Sequence, residues 1–110
     1  MSDTITLIGS EKSNILYAAD DLYRKMSGEL VNKTEKDING GKVILMVFEK
    51  YFYRIGSYAA LTIMLIDDGD KKEAKVIGFG GGTGLLNISW GANSKLSSEA
   101  EEILKNNGFN

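Results

Sequence analysis

Histidine, cysteine and proline are absent from the 110 residues of this chain. Without cysteine there is no disulfide and no thiolate metal site, a composition that fits a reducing compartment. Without histidine the chain lacks the commonest zinc, copper and iron ligand, and the usual acid–base group near neutral pH. Ser-His, Cys-His and zinc-hydrolase mechanisms are therefore excluded unless a partner chain supplies the imidazole. An excess of one charge is also missing: 13 basic residues face 15 acidic ones, for a net charge of −2. Nucleic-acid binders carry a basic excess or stripe, so no nucleic-acid partner is expected. Long apolar runs are missing too. The longest, Val43 to Phe48, is far too short to span a bilayer. Met1 to Ile8 begins polar, without the basic and apolar regions of a secretory signal. The expectation is a cytoplasmic protein without a membrane partner. A hydrophobic fraction of 43% and a charged fraction of 25% suit one globular domain spanning residues 1–110.

The pattern of what is present predicts the elements. Asp3 to Ile8 alternates as a strand, with Ile5 and Leu7 on one face and Thr4, Thr6 and Ile8 on the other. Ser10 is placed to cap a helix, Ile15, Ala18, Ala19, Leu22 and Met26 recur at helical spacing, and Gly28 would close it. Glu29 to Ile38 alternates weakly, as a solvent-facing edge strand would. Asn39-Gly40-Gly41 signals a hairpin turn before a long strand from Val43 to Tyr53. Further strands are expected at Ser57 to Ile66 and Ala74 to Phe79, joined through the acidic turn Asp67 to Lys72. A short strand could follow at Leu85 to Trp90. A second helix would start from a capping box at Ser98 and Glu101, carry Ala100, Ile103 and Leu104, and stop at Asn107-Gly108 with Phe109 folded back. The order β-α-β-β-β-β-α gives an α+β fold: an antiparallel sheet of about five strands with two amphipathic helices, as a two-layer sandwich.

One feature of the strands conflicts with two layers. Val43, Leu45 and Val47 alternate with Ile44, Met46 and Phe48, and Leu61, Ile63 and Leu65 alternate with Met64 and Ile66. An antiparallel sheet with one wet face would alternate apolar with polar instead. Either one helix packs on each face, or the sheet curls around its own side chains, or a homodimer buries the second face.

Two segments could bind a ligand. Six of the 13 glycines lie between Gly78 and Gly91, and Gly80-Gly81-Gly82-Thr83-Gly84 is the densest part. Backbone N–H groups unobstructed by a Cβ can cradle an anion. The dinucleotide fingerprint fails because its third glycine position, counted from Gly80, falls on Leu85, and the P-loop fails because Leu85-Leu86 stand where a lysine and a hydroxyl would be needed. A bulged connection explains the cluster without a ligand. The other segment is Glu49-Lys50-Tyr51-Phe52-Tyr53-Arg54. Lys50 and Arg54 beside Tyr51 and Tyr53 are the residue types that stack and clamp, but they also suit the rim of a long strand. Trp90 is a candidate anchor, with burial in the core as the alternative. Asp67, Asp68 and Asp70 do not make a calcium loop, since the twelfth position counted from Asp67 is Gly78. No catalytic residue, metal ligand or cofactor is assigned, and these absences weigh against an enzyme.

The segments Phe48–Arg54, Gly56–Thr62 and Gly80–Ala92 resemble those of a family of small, mostly Gram-positive bacterial proteins classed as a domain of unknown function. The resemblance implies a bacterial, intracellular single-domain protein and carries no activity or catalytic residue. Two functional expectations follow. One is a non-catalytic binding or protein-interaction module, with a homodimer through the second face of the sheet as its partner. The other is a domain that binds a small molecule or anion of unknown identity through the 80–84 loop, either as a binder or as an enzyme that works without His or Cys.

Overall fold

Seven elements follow in order, and a computed structural model places them: β1 (Ser2–Ile8), α1 (Ile15–Lys25), β2 (Glu29–Ile38), β3 (Gly41–Phe52), β4 (Ser57–Asp67), β5 (Lys72–Gly80) and α2 (Leu86–Asn106). The structure describes residues 2–54, 56–80 and 86–110, and the side chains of 4–54, 56–78 and 95–110. The expected α+β class and the order β-α-β-β-β-β-α are both present.

The five strands form one antiparallel sheet in the order β1-β5-β4-β3-β2. Hairpins join β2 to β3, β3 to β4 and β4 to β5, so neighbours in sequence pair in space. The chain then has to insert β1 against β5, where Ile5 faces Val76 and Leu7 faces Ala74. The sheet stays open, with β1 and β2 as its edges. The β2–β3 turn falls at the predicted Asn-Gly-Gly. Gly40 has φ +84, and a Cβ on Gly41 would overlap the carbonyl oxygen of Asp67.

Both helices lie on one face, which overturns the arrangement with one helix on each side. Register explains why. Ile44, Met46 and Phe48 of β3 stand beside Leu65, Ile63 and Leu61 of β4, and Val76 and Ala74 of β5 continue the same rows. All of these are buried, in one cluster with Ile15, Ala18, Ala19 and Leu22 of α1 and Leu96, Ala100, Ile103 and Leu104 of α2. The helices also touch each other, where Asn107 donates from Nδ2 to Asp21 Oδ2 at 3.0 Å and to the Ile103 carbonyl at 2.9 Å.

Three local expectations need correction. Asn14, not Ser10, caps α1: its Oδ1 accepts from the backbone N–H of Leu16 at 2.9 Å and Tyr17 at 3.1 Å. The Ser10 N–H instead donates to Ser13 Oγ at 2.8 Å, and Ser13 Oγ donates to the Gly108 carbonyl at 3.0 Å. Met26 ends α1 in an extended conformation, so Gly28 already lies in the lead to β2. The third correction is the short strand before the second helix. Residues 86–90 are the first turns of α2, and Ser98 sits inside it rather than at its cap. Stepping back by four from Leu96 gives Ala92 and Ile88, so the helical period was there, but Gly91 and the serines masked it.

The end of α2 is as expected. Gly108, at φ +87, donates to the Lys105 carbonyl at 3.1 Å, and Phe109 donates to the Leu104 carbonyl at 3.1 Å. This pair of bonds is the Schellman closure, which needs a left-handed residue at the position of Gly108. It turns Phe109 into the core, where its side chain is fully buried.

Candidate functional site

The face of the sheet away from the helices has no protein cover among the described residues. It is built by the alternate residues of the same strands. Val43, Leu45 and Val47 of β3 pair with Ile66, Met64 and Thr62 of β4. Across β4 these continue to Glu73, Lys75 and Ile77 of β5. On the other side they continue to Lys36, Thr34 and Asn32 of β2. β1 adds Ile8, Thr6 and Thr4. The centre of this face is therefore aliphatic and its two flanks are hydroxyls, an amide and charges. Val43, Leu45, Val47, Met64, Ile66 and Ile77 are each partly exposed, because close cross-strand neighbours shield one another's sides and leave the tips open.

The charges of the sheet divide by face. On the helix side, Lys42 Nζ reaches Asp37 at 3.1 Å and Glu35 at 3.5 Å, and Lys33 reaches Glu35 at 3.2 Å. The hydrogen bond from Lys33 holds the Glu35 carboxyl below its ordinary range, and the one that Lys42 donates to Asp37 raises the pKa of Lys42. On the uncovered side, Lys36, Glu73 and Lys75 have no ion-pair partner within 4.0 Å among the described residues.

The aromatic segment divides in the same way. Tyr51 pairs with Tyr58 across the β3–β4 hairpin on the uncovered side. The Tyr51 ring meets Tyr58 and Tyr53 edge-to-face, each with centroids 5.0 Å apart. These three rings extend the aliphatic stripe to the hairpin end, and Tyr53 is 90% exposed. Lys50 and Phe52 point to the helix side, with Lys50 Nζ 5.4 Å from the Phe52 ring centroid. Lys50 and Tyr51, neighbours in sequence, thus stand on opposite faces of the strand. Arg54 lies in the turn after β3, exposed to solvent.

Lys50 belongs to a second cluster, at the hairpin end of the helix side. Its Nζ donates to Ser27 Oγ at 2.9 Å. Ser27 offers both its hydroxyl and its backbone N–H to Glu99 of α2, with Oγ–carboxylate distances of 2.7 and 2.9 Å and an N–O distance of 3.0 Å. A serine held between an ammonium and a carboxylate is a composition used for nucleophiles. Here the Ser27 hydroxyl and N–H both find their acceptor in Glu99, and the arrangement clasps the α1–β2 connection to α2. Lys50 pairs with Ala59 and Ala59 with Gly80, so the glycine segment begins in the row of Lys50. Of the other predicted ligand positions, Gly81, Gly82, Thr83 and Gly84 and the side chain of Trp90 lie outside the described residues.

The acidic turn uses its own carboxylates. Asp68 Oδ1 accepts from the N–H of Lys71 at 2.7 Å and of Asp70 at 2.9 Å, and these bonds lower the Asp68 pKa. Three shallow clefts, of about 310, 470 and 340 Å³, lie beside this turn, the α1 cap and the end of α2, away from Lys50 and Gly80. None of the predicted ligand residues lines them.

Sequence reasoning placed Tyr51, Tyr53 and Lys50 at the ends of both features but missed Ser27 and Glu99. Their pairing spans 72 positions and leaves no local pattern. Leu45 and Met64 were legible only through the two-sided apolar strands, and Ile77 was not singled out. No helix among the described residues is long and apolar enough to cross a membrane. No curated protein and no solved structure matches the chain. Residues 3–108 match the model of a family of unknown function, DUF6054, and the chain belongs to that family.

Proposed function

We propose that this chain is a cytoplasmic, non-catalytic interaction module, and that a second copy of the chain occupies the uncovered face of its sheet. One observation carries the reading: both helices pack on one face, while Leu45, Met64 and their neighbours leave the other aliphatic and open. Contiguous apolar patches of this kind on a monomer mark interaction sites. Size supports it. The four strands from β2 to β5, about 4.8 Å apart and about nine residues long, make a face of about 19 by about 30 Å, on the order of 600 Å² per copy. Two such faces bury about 1,200 Å², at the lower end of specific interfaces. Sedimentation equilibrium tests it. The chain is expected to be a dimer at micromolar concentration, and Leu45→Asp or Met64→Asp to be a folded monomer. A monomeric parent chain, or a dimer indifferent to both substitutions, overturns the reading.

The row Lys50–Ala59–Gly80 favours a second reading, an anion or small-molecule site beside the glycine segment. A ligand at 100 times its Kd adds about 2.7 kcal/mol of stability. A thermal-shift screen with phosphate and nucleotides, repeated on Lys50→Ala, is the test. No shift in the parent chain removes this reading.

A further inference from the structure

We infer that the two copies pack about a two-fold axis that runs along the seam between β3 and β4, pairing Lys36 of each copy with the partner subunit's Glu73. This rests on the dimer reading above and adds the register. In a self-associating face the same patch serves both copies, so the axis has to lie in the plane between the sheets. Two simple directions exist, along the strands or across them.

An axis along the β3–β4 seam sets each β3 over the partner's β4 and each β2 over the partner's β5. Cross-strand neighbours within one copy then become facing residues between copies. Leu45 lies over the partner's Met64, Val43 over the partner's Ile66, and Val47 over the partner's Thr62, following the register of the hairpin. The aliphatic centre covers the aliphatic centre over the rows of Val43 and Leu45 and half of that of Val47, and beyond them Glu49 lies over the partner's Ala60. The flanks also agree. Lys36, Val43, Ile66 and Glu73 stand in one row across four strands. Lys36 and Glu73 are equally far from the seam, so each lysine comes over the partner's Glu73, twice in the dimer. Among the described residues neither has an ion-pair partner within 4.0 Å in its own copy, whereas Lys33, Glu35, Asp37 and Lys42 on the helix side are already paired. Aligned sheets pack within about 30° of each other and about 10 Å apart, a gap that a lysine side chain on one sheet bridges to a glutamate on the other.

An axis across the strands at the central row, that of Leu45 and Met64, fares worse. It sets Lys75 over the partner's Lys75, and like charges facing across an interface disfavour association.

Charge reversal in the full chain tests the register, with dimer Kd read by analytical ultracentrifugation and folding by circular dichroism. Lys36→Glu and Glu73→Lys are each expected to weaken the dimer by at least about tenfold, since each places two like-charge pairs in the interface. The double variant Lys36→Glu/Glu73→Lys restores both attractions and is expected within about threefold of the parent Kd. If Leu45→Asp dissociates the dimer but both single reversals leave Kd unchanged, the seam axis is wrong and the dimer reading stands. A folded double variant that fails to recover dimerisation also overturns the axis. A parent chain that stays monomeric at about 100 µM removes the dimer reading and the axis with it.

Discussion

Lys50 Nζ and Ser27 Oγ stand 2.9 Å apart, and the Ser27 hydroxyl is in turn 2.7 Å from the Glu99 carboxylate. Three elements meet in this contact: the connection after α1, strand β3 and helix α2. The carboxylate is the hub, since it accepts from both the N–H and the hydroxyl of Ser27. Removing it by Glu99→Ala leaves two donors to find water, and solvent reaches this cluster. The expected cost is about 1 kcal/mol in urea unfolding, with Lys50→Ala costing less because the lysine donates to an oxygen that already has a partner. If the serine were an activated nucleophile, Ser27 would be labelled by a fluorophosphonate in the parent chain. The satisfied geometry predicts no labelling.

The closure of α2 makes a sharper prediction. Gly108 holds a left-handed conformation, and a Cβ there would meet Ser13 Oγ at 2.8 Å. Gly108→Ala therefore combines backbone strain with a displaced serine, for an expected loss of about 1–2 kcal/mol. Phe109→Ala removes a fully buried ring from the same end of the core and is expected to cost about 3–5 kcal/mol. Chemical denaturation of both variants orders the two effects. A Gly108→Ala protein as stable as the parent would show that the closure contributes nothing.

These two ends of the fold differ in how far they could be read from sequence. Asn107-Gly108-Phe109 carries its signal locally, and the closure is where it was expected. The strands were legible because Val43–Phe48 and Leu61–Ile66 are β-branched and aliphatic, with turn residues at Asn39–Gly41 and Asp67–Gly69. The start of α2 was not legible, because Gly91 and Ser89 have weak helical preference and tertiary context overrides them. Ser10 and Asn14 are both good caps, and the sequence offered no means to rank them. Asn14 has the side-chain role because the helix starts at Ile15, directly after it, whereas Ser10 lies four positions further back. The Ser27–Glu99 contact is of the same non-local kind. The uncovered face was legible as a contradiction within the strands, but which face the helices choose is a matter of packing.

Acid stability follows from three carboxylates. Hydrogen bonds from Asn107 lower the pKa of Asp21, those from Lys33 lower that of Glu35, and the Lys71 and Asp70 amides lower that of Asp68. A carboxyl whose folded pKa lies below its unfolded value stabilises the fold above the unfolded value. That contribution is lost as pH falls through the folded value. Stability is therefore expected to be flat from neutrality to about pH 5 and to decline below about pH 4, where unfolded carboxyls begin to protonate. With no histidine in the chain, no side-chain titration near pH 6.5 contributes. Asp68→Asn should flatten part of the acid limb. An unchanged limb in that variant would show that the turn plays no part in it.

The two faces of the sheet differ in how their substitutions depend on concentration. Ile63 is fully buried under the helices and Met64, its neighbour in sequence, is partly exposed on the other side. Ile63→Ala opens a cavity in the core and should cost about 2–5 kcal/mol at every protein concentration. Met64→Ala removes atoms that a lone copy leaves in water, so it should change the stability of the monomer by much less. In a dimer, stability includes association, and the Tm of the parent chain rises with concentration. The Met64→Ala deficit should then grow as concentration increases, while the Ile63→Ala deficit stays constant. Melting curves of the three proteins over a hundredfold dilution series separate the cases. If Met64→Ala shows the same deficit at both ends of the series, that side chain does not contribute to association.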